Sequence, residues 1–278
     1  MRSNVSICIC EFCLLFVLRY LLISFCLGVF MDAKQALSNA NTASTLKEVI
    51  QAITAALKLH GFSGFWFQGV PHCAYENYHF PKETNLFSQA SLRKPNASVA
   101  SSPVVAELQR FYLSQVAAND FNFGFSLDTS KSYMYRLSCD KSDKASLLFS
   151  KHHIQTVLSW PVTCHSNRHW AGRFILLSHL SDSDILLTGL SATLKEAQNK
   201  LFECNKPLFN PFLQSSLLKD NARDILLMVA NGLQNDEIST QLPISIRGVE
   251  YHMESMRRKF GATNRANLIH LAHQYELI

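Results

Sequence analysis

The chain has 278 residues, of which 47% are hydrophobic, and 26 Lys and Arg against 21 Asp and Glu give it a net charge of +5. A charge this small does not by itself indicate a nucleic-acid partner. Four of the eight cysteines lie before residue 30 and the others are scattered, so a disulfide-stabilised scaffold is excluded.

The chain begins with a strongly apolar stretch, residues 5–30, interrupted by Glu11 and Arg19. A membrane-spanning helix here is flawed, because an Arg at mid-bilayer costs about 2.5–3.5 kcal/mol on insertion scales. A signal peptide fits worse, since no small-residue cleavage site follows. Three interpretations remain for residues 1–30: translation starts at Met31, the stretch anchors the protein to a membrane, or it packs on the rest of the chain or on a partner. Otherwise we expect a cytoplasmic protein.

Residues 31–203 mix helical and strand patterns and predict a first domain. Helices are predicted at 45–60, 104–116 and 188–202, strands at 62–70, 132–137, 157–164 and 170–178, and a polar, Ser-rich loop at 85–102. Helices at both ends of an antiparallel meander are typical of an α+β domain, here an α/β/α sandwich.

Residues 204–216 predict a linker between two domains. The segment contains Pro207 and Pro211, few charges and no clean period. The second domain is therefore predicted at residues 217–278.

This second domain is predicted to be all-α, with four short helices. A first helix ends at Asn231-Gly232, and a second opens with Asp236 and Glu237, where the helix dipole favours negative charge. Pro243 stops that helix, and Ser245 is placed to cap the third. Two short helices joined by such a turn are typical of a helix-turn-helix.

The third helix is predicted to have one buried and one polar face. Ile246, Val249, Met253, Met256 and Phe260 recur at steps of three and four, which places them on one apolar stripe. The predicted DNA-facing residues are Arg247, Gly248, Glu250, Tyr251, Glu254, Arg257, Arg258 and Lys259. These side chains project where bases and phosphates would lie.

Charge distribution supports DNA binding more than net charge does. Between Arg247 and Arg265, five cations face two carboxylates. We expect the cations near the helix end to contact phosphates, and Arg247, Glu250 and Tyr251 near its start to contact bases.

These residues carry a family resemblance. The runs G-L-Q-N-D-E-I-S, V-E-Y-H, R-K-F-G and N-R-A-N-L resemble the helix-turn-helix of LuxR-type transcription regulators. Two positions depart from the family pattern: Ala222 stands where Glu is usual, and Gly248 where Thr is usual. The resemblance implies a regulator that binds double-stranded DNA, with RNA polymerase as a further partner. We expect a homodimer, because one recognition helix reads too few bases for specificity.

The first domain resembles the autoinducer-binding domain of quorum-sensing LuxR proteins. The resemblance rests on Trp160-Pro161-Val162, Gly172 and the element order. It implies a small-molecule pocket between sheet and helices, in which the family uses a Trp, a Tyr, an Asp and a Ser. The segment around Tyr78 corresponds to the start of the pocket, and the four family positions fall at Thr84, Ser88, Ser102 and Ile175.

Loss of these polar groups predicts a sensor that does not bind a classical acyl-homoserine lactone. Each lost charge-assisted hydrogen bond is worth roughly 1.5–3 kcal/mol. The alternatives left open are a true lactone receptor and a regulator controlled by a protein partner or membrane anchor without a ligand. Aromatic residues could line a replacement pocket or simply form the core: Phe65, Phe67, Tyr133 and Tyr135.

Catalytic and metal sites are not expected. Cys8-x-Cys10-x-x-Cys13 has no matching His or Cys pair at zinc-finger spacing, and the Cys164-His165 and His152-His153 pairs have no acidic partner at a catalytic spacing. With no phosphate-binding Gly loop either, we predict a protein that is not an enzyme and needs no cofactor.

Overall fold

The computed structural model describes residues 45–72, 86–95, 97–138, 142–164, 167–215 and 217–278. The predicted segment 1–30, the start at Met31 and the pocket positions Tyr78 and Thr84 lie outside these residues. Within the described part of the chain, no helix combines the length and apolar character needed to cross a membrane.

In its described residues, the first domain alternates helices with five strands. Its elements are α1 Leu46–Lys58, β1 Gly64–Pro71, α2 Gln89–Leu92, β2 Val99–Ala100, α3 Pro103–Phe111 with a π-helical turn Tyr112–Val116, α4 Phe121–Ser126, β3 Tyr133–Met134, α5 Lys144–Lys151, β4 Thr156–Cys164, β5 Asn167–Ser178 and α6 Leu190–Phe209. The strands form one antiparallel sheet in the order β2-β1-β5-β4-β3. The long hairpin of β4 and β5 is its centre.

Two hydrophobic layers sandwich the sheet. On one face, which we call the outer face, Phe65, Phe67 and Phe174 pack beneath α1 and α6. On the other, the inner face, Trp66 and Ile175 pack beneath α2 to α5. Burying a large apolar side chain contributes about 1.5–3 kcal/mol, so the two layers dominate the stability of the domain. The predicted α/β/α sandwich is confirmed.

Two glycines set how closely the sheet is approached from its outer face. A Cβ at Gly172 would lie 1.9 Å from Gln198 Oε1 and 2.5 Å from a ring carbon of Phe67. A Cβ at Gly69 would lie 1.7 Å from the carbonyl oxygen of Phe209. Both positions therefore require glycine for steric reasons, because α6 and its C-terminal end pass directly over them.

The predicted linker is largely helical. Helix α6 continues to Phe209, with a kink at Asn205, whose φ of −168° and ψ of 79° are not helical. A short helix α7, Pro211–Gln214, follows, and the side chain of Asn210 accepts a hydrogen bond from the Phe212 N–H. Proline at the first position of a helix is tolerated, because the N–H it lacks would have no helical partner.

The second domain contains four helices, as predicted: α8 Asp220–Ala230, α9 Asn235–Gln241, α10 Ile246–Phe260 and α11 Arg265–Gln274. Ile225, Val229 and Ile238 pack against Val249 and Leu268 in its core. Gly261, with φ of +65°, ends α10 in the left-handed conformation that glycine adopts without strain.

Several predicted elements of the first domain differ from the structure. The predicted strand 132–137 pairs only at Tyr133–Met134, and the predicted loop 85–102 contains α2 and β2. Helices α4 and α5 were not predicted. Asp120 and Asp143 cap these two helices by accepting hydrogen bonds from the N–H groups of Asn122 and Ala145. Asp is a common N-cap residue, so a local signal was present.

Candidate nucleic-acid interface and sensor core

The helix-turn-helix is fixed by caps on both of its helices. Ser245 Oγ accepts a hydrogen bond from the Gly248 N–H at 3.2 Å, which caps α10 as predicted. At the start of α9, the Gln234 N–H donates to Glu237 Oε2 at 2.7 Å. Between them, the Ile244 N–H donates to the Leu242 carbonyl at 2.7 Å. These bonds satisfy backbone donors that a helix start leaves free, and they set the direction in which α10 leaves the turn.

The start of α10 presents the predicted base-reading residues to solvent. Arg247 and Glu250 are exposed, and Tyr251 is 71% exposed. Gly248 lies between them, and a Cβ there would meet Ile244 and Ser245 only at 3.6 Å. Of the five residues predicted on the buried stripe, Ile246 is instead 47% exposed, because it begins the helix at the edge of the domain.

Further along α10, one carboxylate joins two arginines. Glu254 Oε2 accepts a hydrogen bond from Arg257 at 2.8 Å, and its Oε1 accepts one from Arg258 at 3.1 Å. Arg257 also donates to the Thr263 carbonyl at 3.0 Å. Arg257 is thus tied to its own domain, whereas the side chain of Arg258 is 76% exposed.

Two of the predicted surplus cations bond within the protein. Lys259 Nζ donates to the carbonyl oxygen of Leu217 at 2.5 Å, and burial lowers the pKa of its ammonium. Arg265 bonds Asn235 Oδ1 at 3.0 Å and the Leu233 carbonyl. Arg265 thereby links α11 to the start of α9. The charge count along the sequence gave no sign of these inward contacts.

The structure separates the predicted pocket residues. Tyr135 and Ile175 are buried on the inner face, and Tyr133 is half-buried beside them, with its ring centroid 5.8 Å from that of Tyr135. Phe65 and Phe67 lie on the outer face, where the ring of Phe67 is 4.6 Å from Phe174. Since the sheet lies between the two groups, these five predicted side chains do not line one pocket.

Two further predicted pocket residues are helix caps. Ser88 Oγ accepts from the Ser91 N–H at 3.2 Å, and Ser102 Oγ accepts from the Val105 N–H at 3.3 Å. Their hydroxyls therefore satisfy backbone donors at the starts of α2 and α3.

A buried polar network lies on the inner face and was not predicted from the sequence. The Tyr112 hydroxyl donates to Asp120 Oδ2 at 2.7 Å, and Asp120 Oδ1 accepts from Asn122 Nδ2 at 2.9 Å. Asn122 Oδ1 in turn accepts from the Tyr133 hydroxyl at 2.9 Å. Burial raises the pKa of Asp120, because desolvation disfavours its charged form. Burial also raises the pKa of Tyr112.

A buried arginine lies next to this network. Arg173 on β5 is almost completely buried, and its guanidinium donates to the Ser126 carbonyl at 2.9 Å. Ser159 Oγ on β4 donates to the same carbonyl at 3.0 Å. The C-terminal end of α4 is thereby fixed to the two central strands.

Among the described residues, no group of three or more His, Cys, Asp or Glu side chains is arranged to hold a metal ion.

The capped turn and the exposed start of α10 coincide with a family match. Residues 218–272 match the family of bacterial regulatory proteins, LuxR family. These residues are a LuxR-family helix-turn-helix domain. The resemblance to LuxR-type regulators stated from the sequence is confirmed for this part of the chain.

Two solved structures are similar over most of the chain. A crystal structure of Escherichia coli SdiA has 17% sequence identity and a TM-score of 0.44, and the match covers 90% of this chain and 98% of that one. A structure of SdiA in complex with octanoyl-rac-glycerol has 16% identity and a TM-score of 0.43, covering 88% and 95%. At TM-scores below 0.5, a shared ligand does not follow. No curated protein matches the chain.

Proposed function

We propose that this LuxR-type protein is a sequence-specific transcription regulator that binds double-stranded DNA as a homodimer. The observation that carries the proposal is the capped helix α10, which exposes Arg247, Glu250 and Tyr251 at its start. In helix-turn-helix proteins the N-terminal residues of the second helix contact base edges in the major groove. A dimer is proposed because specificity needs two half-sites.

Within this helix, the exposed contacts divide into two roles. Arg247, Glu250 and Tyr251 read bases, because they lie in the first two turns. Arg258 supplies a phosphate contact, because it remains exposed while Lys259 and Arg257 bond to backbone carbonyls of their own chain. Of the eight predicted DNA-facing residues, these four are therefore proposed as the principal contacts. Gly248 contributes only space for the DNA backbone.

The decisive experiment is selection of bound DNA from a random pool, with the full chain as bait. A palindromic product with half-sites about one helical turn apart supports both the domain and the dimer. Failure to enrich any sequence contradicts the proposal. With the selected site, Arg247→Ala is expected to relax base preference, whereas Arg258→Ala is expected to weaken binding to all sequences and lower the salt dependence. Arg110→Ala, on the exposed surface of α3, is the matched control.

For the first domain, we propose a sensor whose ligand is not a classical acyl-homoserine lactone. Ser102 and Ser88 cap helices, and Ile175 is buried in an aromatic layer with Trp66 and Tyr112. These positions therefore offer few polar groups to a lactone and its amide. A panel of lactones in a thermal-shift assay tests this, and clear, saturable stabilisation by any of them contradicts it.

The remaining assignments follow from DNA binding. We infer a cytoplasmic protein that acts on RNA polymerase at promoters and has no enzymatic role. A second candidate is a regulator whose first domain responds to a protein partner and binds no small molecule. For this candidate, DNA affinity would be the same with and without an added small-molecule ligand.

A further inference from the structure

A cleft opens where the first domain meets the linker. It has a volume of about 330 Å³ and lies between α2, strand β1 and the α6–α7 junction. We propose that this cleft binds a carboxylate with an aliphatic tail, of the size of a medium-chain fatty acid. The proposal rests on the sensor role proposed for the first domain, and it places the ligand beside the linker rather than inside the inner-face core.

The walls of the cleft suit an aliphatic tail. Small-molecule sites occupy roughly 300–1,000 Å³ and are lined mainly by apolar side chains. The apolar wall residues here are Phe87, Leu92, Leu208, Phe209 and Pro211. They come from two segments that are distant along the chain, residues 87–92 and residues 208–211, so a tail bound here would bridge α2 and the linker.

Gln68 supplies a buried hydrogen-bonding group to the cleft. Gln68 is among the residues that line the cleft, although it is only 1% exposed. Its Oε1 accepts a hydrogen bond from Gln109 Nε2 at 3.5 Å, and Gln109 Oε1 accepts one from Ser98 Oγ at 3.2 Å. This chain fixes the oxygen of Gln68 as an acceptor. Its amide nitrogen is the donor that we assign to a ligand oxygen.

Lys94 sets the charge of the ligand. It lies in the wall of the cleft, is exposed, and forms no ion pair with any residue that the structure describes. A carboxylate between Lys94 and Gln68 gains a charged and a neutral donor, whereas an amine would meet a like charge. The cleft therefore fits an anionic head with an apolar tail.

The cleft is connected to the DNA-binding domain through aromatic rings. Phe87 in the wall packs edge-on against Phe212 of α7, with centroids 5.1 Å apart. Phe212 stacks on Tyr275 at the end of the second domain. A ligand that fills the cleft thus supports the segment on which the DNA-binding domain rests, and binding is expected to stabilise this docked arrangement.

Calorimetry on the purified full chain tests the site with three probes of equal chain length: decanoate, decanol and decylamine. We expect saturable binding of decanoate, at least tenfold weaker binding of decanol, and no binding of decylamine. Lys94→Gln is expected to weaken decanoate binding about tenfold, which is the range of one charge-assisted contact. Lys195→Gln, an exposed lysine on α6 outside the cleft, is the control and should bind decanoate unchanged.

A second variant tests the cleft itself by filling it with a large side chain. Ala97→Trp, at a half-exposed position in the wall, should block decanoate while circular dichroism confirms the fold. The proposal is overturned if decanoate does not saturate the protein, if all three probes bind alike, or if Lys94→Gln and Ala97→Trp leave its affinity unchanged. DNA selection is scored separately, so an enriched palindrome with no decanoate binding rejects the cleft site and leaves DNA binding intact.

Discussion

The rings of Phe212 and Tyr275 stack, with their centroids 4.4 Å apart and their planes inclined by 14°. Phe212 belongs to α7 and Tyr275 follows the last helix of the DNA-binding domain. Asn210 Nδ2 reinforces the pair by donating to the Tyr275 carbonyl at 2.8 Å, and Lys206 bonds Glu276 at 2.6 Å. The end of the chain therefore ties the DNA-binding domain back to the helices that leave the first domain.

Removing the Tyr275 ring is expected to release this attachment. Tyr275→Ala loses the contacts with Phe212, Phe260 and His169, and since aromatic pairs contribute about 0.5–1.5 kcal/mol each, we expect destabilisation of about 2 kcal/mol. Limited proteolysis should show faster cleavage between residues 205 and 218. The matched control is Tyr251→Ala, at an exposed ring on α10, and equal proteolysis of both variants would contradict the prediction.

Two glycine substitutions should have opposite effects. Gly248→Ala is expected to stabilise the protein by about 1 kcal/mol, because alanine favours the helix and the new Cβ meets only ordinary contacts. Gly172→Ala is expected to destabilise it by about 3 kcal/mol or more, because its Cβ would overlap Gln198 and Phe67. Urea unfolding measures both changes. A destabilised Gly248→Ala variant would show that α10 is strained at this position.

Neutralising Glu254 is expected to strengthen binding to any DNA sequence. The carboxylate holds Arg257 and Arg258 and repels phosphates. Glu254→Gln should therefore raise nonspecific affinity and steepen its dependence on salt by about one phosphate contact. Fluorescence anisotropy over a series of salt concentrations measures the slope. Glu107→Gln, an exposed site on α3, makes the same charge change far from α10 and should leave the slope as it is.

Stability is expected to fall as the pH is lowered, in part through His60. Its Nδ1 donates to the Leu186 carbonyl at 2.9 Å, and its Nε2 lies 3.0 Å from Thr193 Oγ1. Burial lowers the pKa of His60. The unfolded chain therefore binds a proton near pH 6.5 while the folded chain stays neutral, so stability is fully present above about pH 6.5 and is lost as the pH falls toward the folded pKa.

The measurement is urea unfolding at pH 7.5 and 5.5. His169 acts in the same direction, since burial also lowers its pKa. The change in unfolding free energy between the two pH values is therefore compared between wild type and His60→Gln. The variant should lose less stability between the two pH values. Equal losses in both proteins would exclude His60 as a contributor.

The DNA-binding domain was predictable because its signals are local. The cap at Ser245 and the stop at Pro243 act within one turn of where they stand. The face of the sheet on which Phe65 and Phe67 lie was not predictable. Strand β1 is buried on both sides and so lacks the alternation of polar and apolar residues that tells one face from the other.

The inward bonds of Lys259 and Arg265 were hidden for a different reason. Long cationic side chains can reach a carbonyl on another helix as readily as a phosphate, and only tertiary geometry decides between them. The polar network around Asp120 was equally invisible, because its members come from three elements that only the fold brings together.

At Gly69, the packing of the sheet depends on the position of the linker. No side chain fits at this position as long as the carbonyl of Phe209 stays where it is. Whether a substitution at position 69 is tolerated therefore depends on Phe209, which lies 140 positions later in the chain. On the regulatory role proposed above, a saturation-mutagenesis scan for variants that act without a signal should find substitutions of Gly69 among its hits. A side chain at this position displaces Phe209, and with it the linker that joins the DNA-binding domain to the sheet.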